Sequence, residues 1–421
     1  MLNWHSLTST RNDMYILIRL PNWLGDAIML TPTIVLLRKV YPNVRCILVG
    51  NALTANVFCL NDHIIKIFID DSKKAKNIIQ RLQAINALAA NINVYLAQSQ
   101  IKLDCAITAQ NNFFSAFLLS KISAKMTVGY GDKNAFGVRK FLLTHNVKFA
   151  SGRPPACNHQ VLSYANLLLP ILPYSFFQSI DLQTINYISN PQASSLQNKL
   201  FSQVEQLHLI DNETKQQNHN NASIVAISTG ASYGISKMWL PEYFSEVAIT
   251  LLKRGHIVRL YGAKNEEEYN ARIERSILHI LPQEHHTRLQ NLTGATNIPS
   301  LIQSLQQCSL YIGNDSGSMH IAKALKIPSI VFFGPMPLAW CSPWSPNFYQ
   351  QQFLTQSHKQ QAHSATHTES IAIDSSIIVK KTLPCMPCYK RVCPLSHHNC
   401  MRLITPDEVL NIAESLLLQK Q

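Results

Sequence analysis

The feature that most limits how this chain can fold is an alternation that runs twice. Short apolar runs of strand length trade places with helix-length segments: "MYILIRL" at 14–20, a helical stretch at 27–41, "VRCILVG", "IIKIFID", a long segment near 74–98, "LDCAITA", 111–122 and "MTVGY". The rhythm restarts after residue 222 with "SIVAIST" at 223–229, a helix at 241–254, "HIVRLYG", a helix near 265–280, then 298–307, "LYIGN", 317–326 and "SIVFFG" at 329–334. Strands apolar on both faces, joined by crossover helices, read as a parallel sheet covered on each side. At 421 residues the chain exceeds one ordinary core, so two doubly wound α/β domains are expected, with a cleft between them.

The boundaries follow from composition. Residues 1–180 form the first domain, 181–222 the linker and 223–403 the second domain, with a C-terminal helix at 404–421. The linker contains "DNETKQQNHNNAS" at 211–223, too polar to join a core. "QQQFLTQSHKQQAHSATHTES" at 350–370 reads as an insertion in the second domain. In "TPDEVLNIAESLLLQ", Thr405 is placed as N-cap and Pro406 at the first helical position.

Charged residues are only 14% and hydrophobic ones 46%, which excludes the disordered class. Lys and Arg outnumber Asp and Glu by 37 to 24, a net charge of +13 that favours anionic partners. Nucleic acid is the weaker partner, because basic residues are not interleaved with aromatics as in a stacking platform. No apolar run approaches the roughly 18 to 20 residues of a membrane span, and the first dozen residues lack a signal peptide's apolar stretch. A cytoplasmic protein is expected.

Three strand ends carry chemistry. In "RLPNWLGDAIMLTP" at 19–32, Gly25 reads as a turn glycine and Asp26 as a helix cap, while Trp23 beside them is a candidate packing anchor. In "STGASYGISKMWLP" at 228–241, Gly230 and Gly234 free the backbone, Thr229 and Ser232 offer hydroxyls, and Lys237 supplies a point charge suited to phosphate. In "IGNDSGSMHIAKAL" at 312–325, Asp315 and Ser316 open a helix, Gly317 leaves room for close approach, and His320 lies on the first turns. Exposed N–H groups at such a terminus attract anions.

The ten cysteines divide into two sets. Cys46, Cys59, Cys105, Cys157, Cys308 and Cys341 sit in apolar segments and read as small buried thiols. Cys385, Cys388, Cys393 and Cys400 lie within "CMPCYKRVCPLSHHNC". In a cytoplasmic chain that spacing favours a structural zinc site over disulfides, with an iron–sulfur cluster or four reduced thiols as alternatives and His397 or His398 as substitute ligands. The cluster is expected to lie apart from the three loops.

Taken in order, "NWLGDAIMLTP", "GASYGISKMWLPEYF", "NDSGSMHIAKAL" and the cysteine tail resemble the ADP-heptose:lipopolysaccharide heptosyltransferases, glycosyltransferase family 9, and most of all their heptosyltransferase II branch. The resemblance runs from about residue 14 to the C-terminus. It implies a GT-B fold of two Rossmann-like domains, the first facing the acceptor and the second holding the sugar nucleotide, and a C-terminal helix that packs back across the first domain. It further implies inverting transfer of L-glycero-D-manno-heptose from ADP-heptose to the inner-core heptose of heptosyl-Kdo2-lipid A. The alternatives are transfer at another core position or a GT-B sugar-nucleotide epimerase.

By the same resemblance Asp26 is the general base, with Asn22 and Trp23 on the acceptor side. Lys237 offsets charge on the departing ADP, and Thr229, Gly230, Ser232, Asp315, Ser316, Gly317 and His320 hold the donor. No Asp-x-Asp is placed to hold a divalent ion, and no cofactor is expected for catalysis. The protein is expected to work peripherally at the anionic inner face of the cytoplasmic membrane, with Arg38, Lys39, Lys133, Arg139 and Lys140 facing lipid or acceptor.

Overall fold

The computed structural model describes residues 14–59, 61–131, 137–147, 159–177, 200, 203–209, 223–348 and 368–418. The chain separates into two compact units, Met1–Asp211 and Asn212–Gln421. The polar linker stretch at 210–222, most of the insertion, Lys133 and Cys157 lie outside the described residues.

The first unit runs β1 (Met14–Arg19), α1 (Leu24–Met29), α2 (Thr31–Val40), β2 (Val44–Gly50), α3 (Ala52–Ala55), β3 (Ile64–Ile69), α4 (Ile78–Gln98), β4 (Cys105–Thr108), α5 (Phe113–Ser120), β5 (Thr127–Tyr130), α6 (Arg139–Leu142), β6 (His145–Val147) and α7 (Gln160–Asn166). Its six strands are ordered β3-β2-β1-β4-β5-β6, every pair parallel. The order reverses between β1 and β4, which opens a crevice at their carboxyl ends. Ile85, Ala89, Ile92 and Leu96 recur at helical spacing along α4 and bury against Leu17, Ile47, Val49 and Ala106 of the strands. The helix expected at 27–41 is two helices meeting at Leu30. Pro32 sits in the first turn of α2, where its missing N–H leaves no bond unmade.

Residues 203–209, read from sequence as linker, pack on this unit. Val204, Leu207 and Leu209 are buried, and the His208 N–H donates to Thr31 Oγ1 at 3.0 Å.

The second unit runs β7 (Ile224–Ser228), α8 (Pro241–Lys253), β8 (Ile257–Tyr261), α9 (Glu267–Ile280), β9 (Leu289–Asn291), α10 (Ile298–Gln306), β10 (Leu310–Asn314), α11 (Gly317–Ala324), β11 (Ser329–Phe333), α12 (Leu338–Cys341), β12 (Thr368–Ile373), β13 (Ser376–Lys381), α13 (Asn399–Arg402) and α14 (Pro406–Leu418). Seven strands are ordered β12-β13-β11-β10-β7-β8-β9. All pairs are parallel except the edge hairpin β12–β13. Here the order reverses between β7 and β10.

Trp239 anchors the second core, with ring centroids 4.4 Å from Phe332 and 5.0 Å from Phe244. The same core takes Val409, Leu410, Ala413 and Leu417 of α14, so the apolar stripe of the C-terminal helix is absorbed by its own unit. The helix start matches the sequence reading: Thr405 Oγ1 accepts from the Glu408 N–H, and Glu408 Oε2 accepts from the Thr405 N–H. Among the described residues no helix is long and apolar enough to cross a membrane.

Candidate functional site

In the second unit the loops after β7 and β10 are joined by one buried amide. Asn314 Nδ2 donates to the Thr229 carbonyl at 2.7 Å, and its Oδ1 accepts from the Trp239 N–H at 2.9 Å. These bonds fix the loop from 229 to 239 against the start of α11. Within it, Lys237 Nζ donates to Asp315 Oδ2 at 2.5 Å, and both side chains are buried. Burial opposes the lysine charge, but Asp315, Cys341 and Tyr233 more than offset it and hold Lys237 above the ordinary lysine range. Its ammonium lies 5.0 Å from the centre of the Tyr233 ring. The result is a permanent cation at a sheet switch point, beside the N-terminus of a helix whose N-cap is Ser316.

The other donor-side residues surround this pair. Thr229 is fully buried and its hydroxyl donates to Asn270 Oδ1, so it is already engaged. Ser232 is exposed and His320 is buried. Ser316 and Ser318 hydroxyls lie 2.9 Å apart, and Ser318 also meets Ser228 at 2.8 Å and Tyr311 at 2.9 Å. Sequence reasoning missed Glu266, whose carboxylate lies against the space a Gly230 side chain would fill, with Oε2 accepting from the Ala263 N–H at 2.8 Å. Burial raises its pKa, and that hydrogen bond only partly offsets the effect. An acidic residue just past the second strand of such a unit suits a ribose hydroxyl. The signal that could have found it is its position, a few residues beyond β8.

In the first unit the loop after β1 is pinned from three sides. Arg19 ends β1 in a buried ion pair with Asp70, just past β3, and donates to the Val49 carbonyl at 3.1 Å. Gln110 Nε2, just past β4, donates to the Leu20 carbonyl at 2.6 Å and to Asn22 Oδ1 at 3.2 Å. Asn51 Nδ2 donates to the Asn22 carbonyl at 3.0 Å. Trp23 is the N-cap residue of α1 and is 49% exposed, which excludes the packing-anchor reading. Gly25 is helical, not a turn glycine, and Asp26 lies in the first turn of α1 instead of capping it. There its carboxylate faces the positive end of the helix dipole and accepts from the Tyr164 hydroxyl at 3.1 Å. Tyr164 had no signal in the sequence.

The cysteine segment is not apart from these loops. Arg391 O accepts from the Ser236 N–H at 3.1 Å, Lys390 O accepts from the Ser236 hydroxyl at 2.5 Å, and Tyr389 O accepts from the Tyr233 hydroxyl at 2.8 Å. A methyl group added at Gly234 would sit 2.5 Å from Arg391 O, so only glycine permits this approach. Residues 389–391 therefore strap the loop that carries Lys237. Burial pushes the Cys400 thiol up to about 12, with Cys393, Cys388 and Cys385 adding to the effect. Among the described residues, however, no three His, Cys, Asp or Glu side chains are gathered as a metal-holding group. The four-thiolate geometry expected from spacing is not assembled in this arrangement.

Other readings are corrected by burial. Arg139 is fully buried and donates to the carbonyls of Gln110 and Tyr130, so it braces strand ends and cannot face lipid. Arg38 pairs with Asp62 and Lys39 with Glu205, while Lys140 is exposed. Cys46, Cys105 and Cys308 are buried as expected, but Cys59 is exposed. Cys341 is half-buried, with Sγ 3.5 Å from Asp315 Oδ2.

Known proteins are similar to this chain in sequence and fold. The family model described as glycosyltransferase family 9 (heptosyltransferase) matches residues 97–372. Lipooligosaccharide heptosyltransferase 2 of Campylobacter jejuni is 26% identical over 404 residues, 96% of this chain and 99% of that protein. Lipopolysaccharide heptosyltransferase 2 of Escherichia coli K12 is 25% identical over 198 residues, 47% of this chain and 48% of its own. Among solved structures, E. coli ADP-heptose LPS heptosyltransferase II aligns with a TM-score of 0.67 at 18% identity, covering 97% of this chain and 99% of that one. A glycosyltransferase family 9 protein from Veillonella parvula aligns equally well, at 0.67 and 19%, over 96% and 98%. The structural likeness concerns the two parallel-sheet domains.

Proposed function

Because the chain belongs to glycosyltransferase family 9, the heptosyltransferase family, we propose that it transfers L-glycero-D-manno-heptose from ADP-heptose to the inner-core heptose of heptosyl-Kdo2-lipid A, with inversion. The observation that supports the chemistry most directly is the buried Lys237 cation, held by Asp315 at the switch point of the second sheet. As the bond from the anomeric carbon to the diphosphate breaks, negative charge grows on ADP, and a fixed cation with the N–H groups at the start of α11 stabilises it. Asp26 takes the proton of the attacking acceptor hydroxyl. The acceptor oxygen enters opposite the departing ADP, so the single displacement inverts the anomeric centre. Glu266, whose carboxylate fills the space beside Gly230, fits the donor's ribose, and exposed Trp23 borders the acceptor.

The acceptor lies at an anionic lipid surface, and the charge of +13 supports attraction to it. One assay tests both parts. Acceptors carrying no, one and two heptoses are presented in neutral and anionic vesicles with ADP-heptose. Activity is expected only with the one-heptose acceptor, higher on anionic vesicles and falling as salt rises. Transfer to the heptose-free acceptor would assign a different core position, and equal rates on neutral vesicles would remove the membrane attraction.

We also propose that Cys385, Cys388, Cys393 and Cys400 close around zinc as a structural centre. Support comes from their spacing in the sequence. Elemental analysis of protein purified without added metal should find about one zinc per chain. Chelation should then lower the unfolding temperature and expose 384–401 to proteolysis before the rest of the chain. Metal-free protein of ordinary stability would exclude the centre.

A further inference from the structure

The Asp26 side chain has a partner that no part of the reaction scheme above requires. Tyr164 lies on α7, which is packed against α1, and its ring is only 2% exposed. The helix is set by His159, whose Nδ1 accepts from the Val161 N–H at 3.2 Å, and by the Tyr130 hydroxyl, which donates to the Ser163 carbonyl. Tyr164 therefore has little freedom, and its hydroxyl meets Asp26 Oδ1 at 3.1 Å. Gln160 is a second hydrogen-bonding neighbour of that hydroxyl.

We infer that Tyr164 is a positioning residue for the reaction: its hydroxyl holds the Asp26 carboxylate in one orientation and biases it towards the ionised form that can accept a proton. The inference rests on Asp26 being the base. Burial, and next the charge of Asp26, push the Tyr164 phenol well above its ordinary value, so it stays protonated throughout the working range. The bond therefore runs in one direction, from phenol to carboxylate. A donor to a carboxylate favours its charged form. Reorientation of an aspartate about its two side-chain torsions is lost at the same time, which matters because a base must lie within hydrogen-bond reach of the proton it takes.

Among the described elements packed on α1, the ionisable groups can be named. Besides α7, α2 and α3 pack on α1. No residue of α3 ionises, and Arg38 and Lys39 of α2 lie in its last turn, paired with Asp62 and Glu205. On the α7 side the titratable groups are Tyr164 itself and, behind it, Tyr130 and His159.

The test is Tyr164→Phe, assayed for kcat, KM and pH dependence beside Asp26→Asn. Deleting the hydroxyl should lower kcat about tenfold, the scale of one hydrogen bond to a charged group, with the donor KM unchanged. The acid limb of the kcat profile should move to higher pH, because the carboxylate then protonates more easily. A packing role alone would lower stability without moving that limb. Should the phenylalanine variant fail to fold, 3-fluorotyrosine placed at 164 keeps the ring and makes a stronger donor, and the acid limb should move to lower pH. A wild-type profile in the folded phenylalanine variant, or no shift with fluorotyrosine, overturns the inference while leaving Asp26 as base. Wild-type turnover in Asp26→Asn overturns the base assignment itself.

Discussion

Asp26→Asn should lower turnover by about 10²–10⁴-fold, the range general base catalysis contributes, while the affinity for ADP-heptose stays at its wild-type value. The split is expected because the proposed donor contacts all belong to the second unit, whereas Asp26 lies on α1 of the first. Asparagine keeps the shape and the bond from Tyr164 but cannot accept the acceptor's proton. Turnover is read from ADP release and affinity from calorimetry. A variant that turns over normally would remove Asp26 from the chemistry, and one that loses donor affinity would move it to binding.

Lys237→Met should lower kcat by about 10²-fold or more, the scale on which a preorganised charge at a developing anion acts, and should weaken ADP binding as well. It should also destabilise the fold, since removing one partner of a buried pair leaves an uncompensated carboxylate and costs about 3–5 kcal/mol. The double variant Lys237→Met, Asp315→Leu separates the effects. Replacing both charges by apolar groups should restore much of the unfolding temperature while turnover stays low. Recovery of activity with stability would show that the lysine serves only the fold.

Much of the architecture was legible because buried parallel strands are written as uninterrupted apolar runs. β1, β2, β3, β7, β10 and β11 all fall where such runs stand. What escaped were elements too short to make a pattern, β6 and β9 at three residues each, and the β12–β13 hairpin, whose first residues merge into a polar stretch. The loops to which the proposed chemistry is assigned were legible from glycine, proline and the position of strand ends. Their partners were not. Asn314 with Thr229, Tyr164 with Asp26 and residues 389–391 with Ser236 are pairs brought together only by tertiary packing. Single residues misread for the same reason include Arg139, charged yet fully buried because three carbonyl and amide oxygens surround its guanidinium. Gly25 and Asp26 were misread because a helix that starts one turn early converts a turn glycine into a helical one.

The strap over the Lys237 loop bears on the order in which the protein matures during synthesis. Ser236 is held by the carbonyls of Lys390 and Arg391, and the Trp239 indole N–H by the carbonyl of Ile404. Partners more than 150 positions downstream complete a loop whose own strand is made much earlier. Such distant pairings form late, after local helices and hairpins have settled. A nascent chain that has emerged only as far as the β12–β13 hairpin can have every strand of the second sheet in place and still lack the backbone that braces its lysine. Bracing of the loop that carries Lys237 thus waits on the segment from 385 to 404, which folds back onto a sheet already formed.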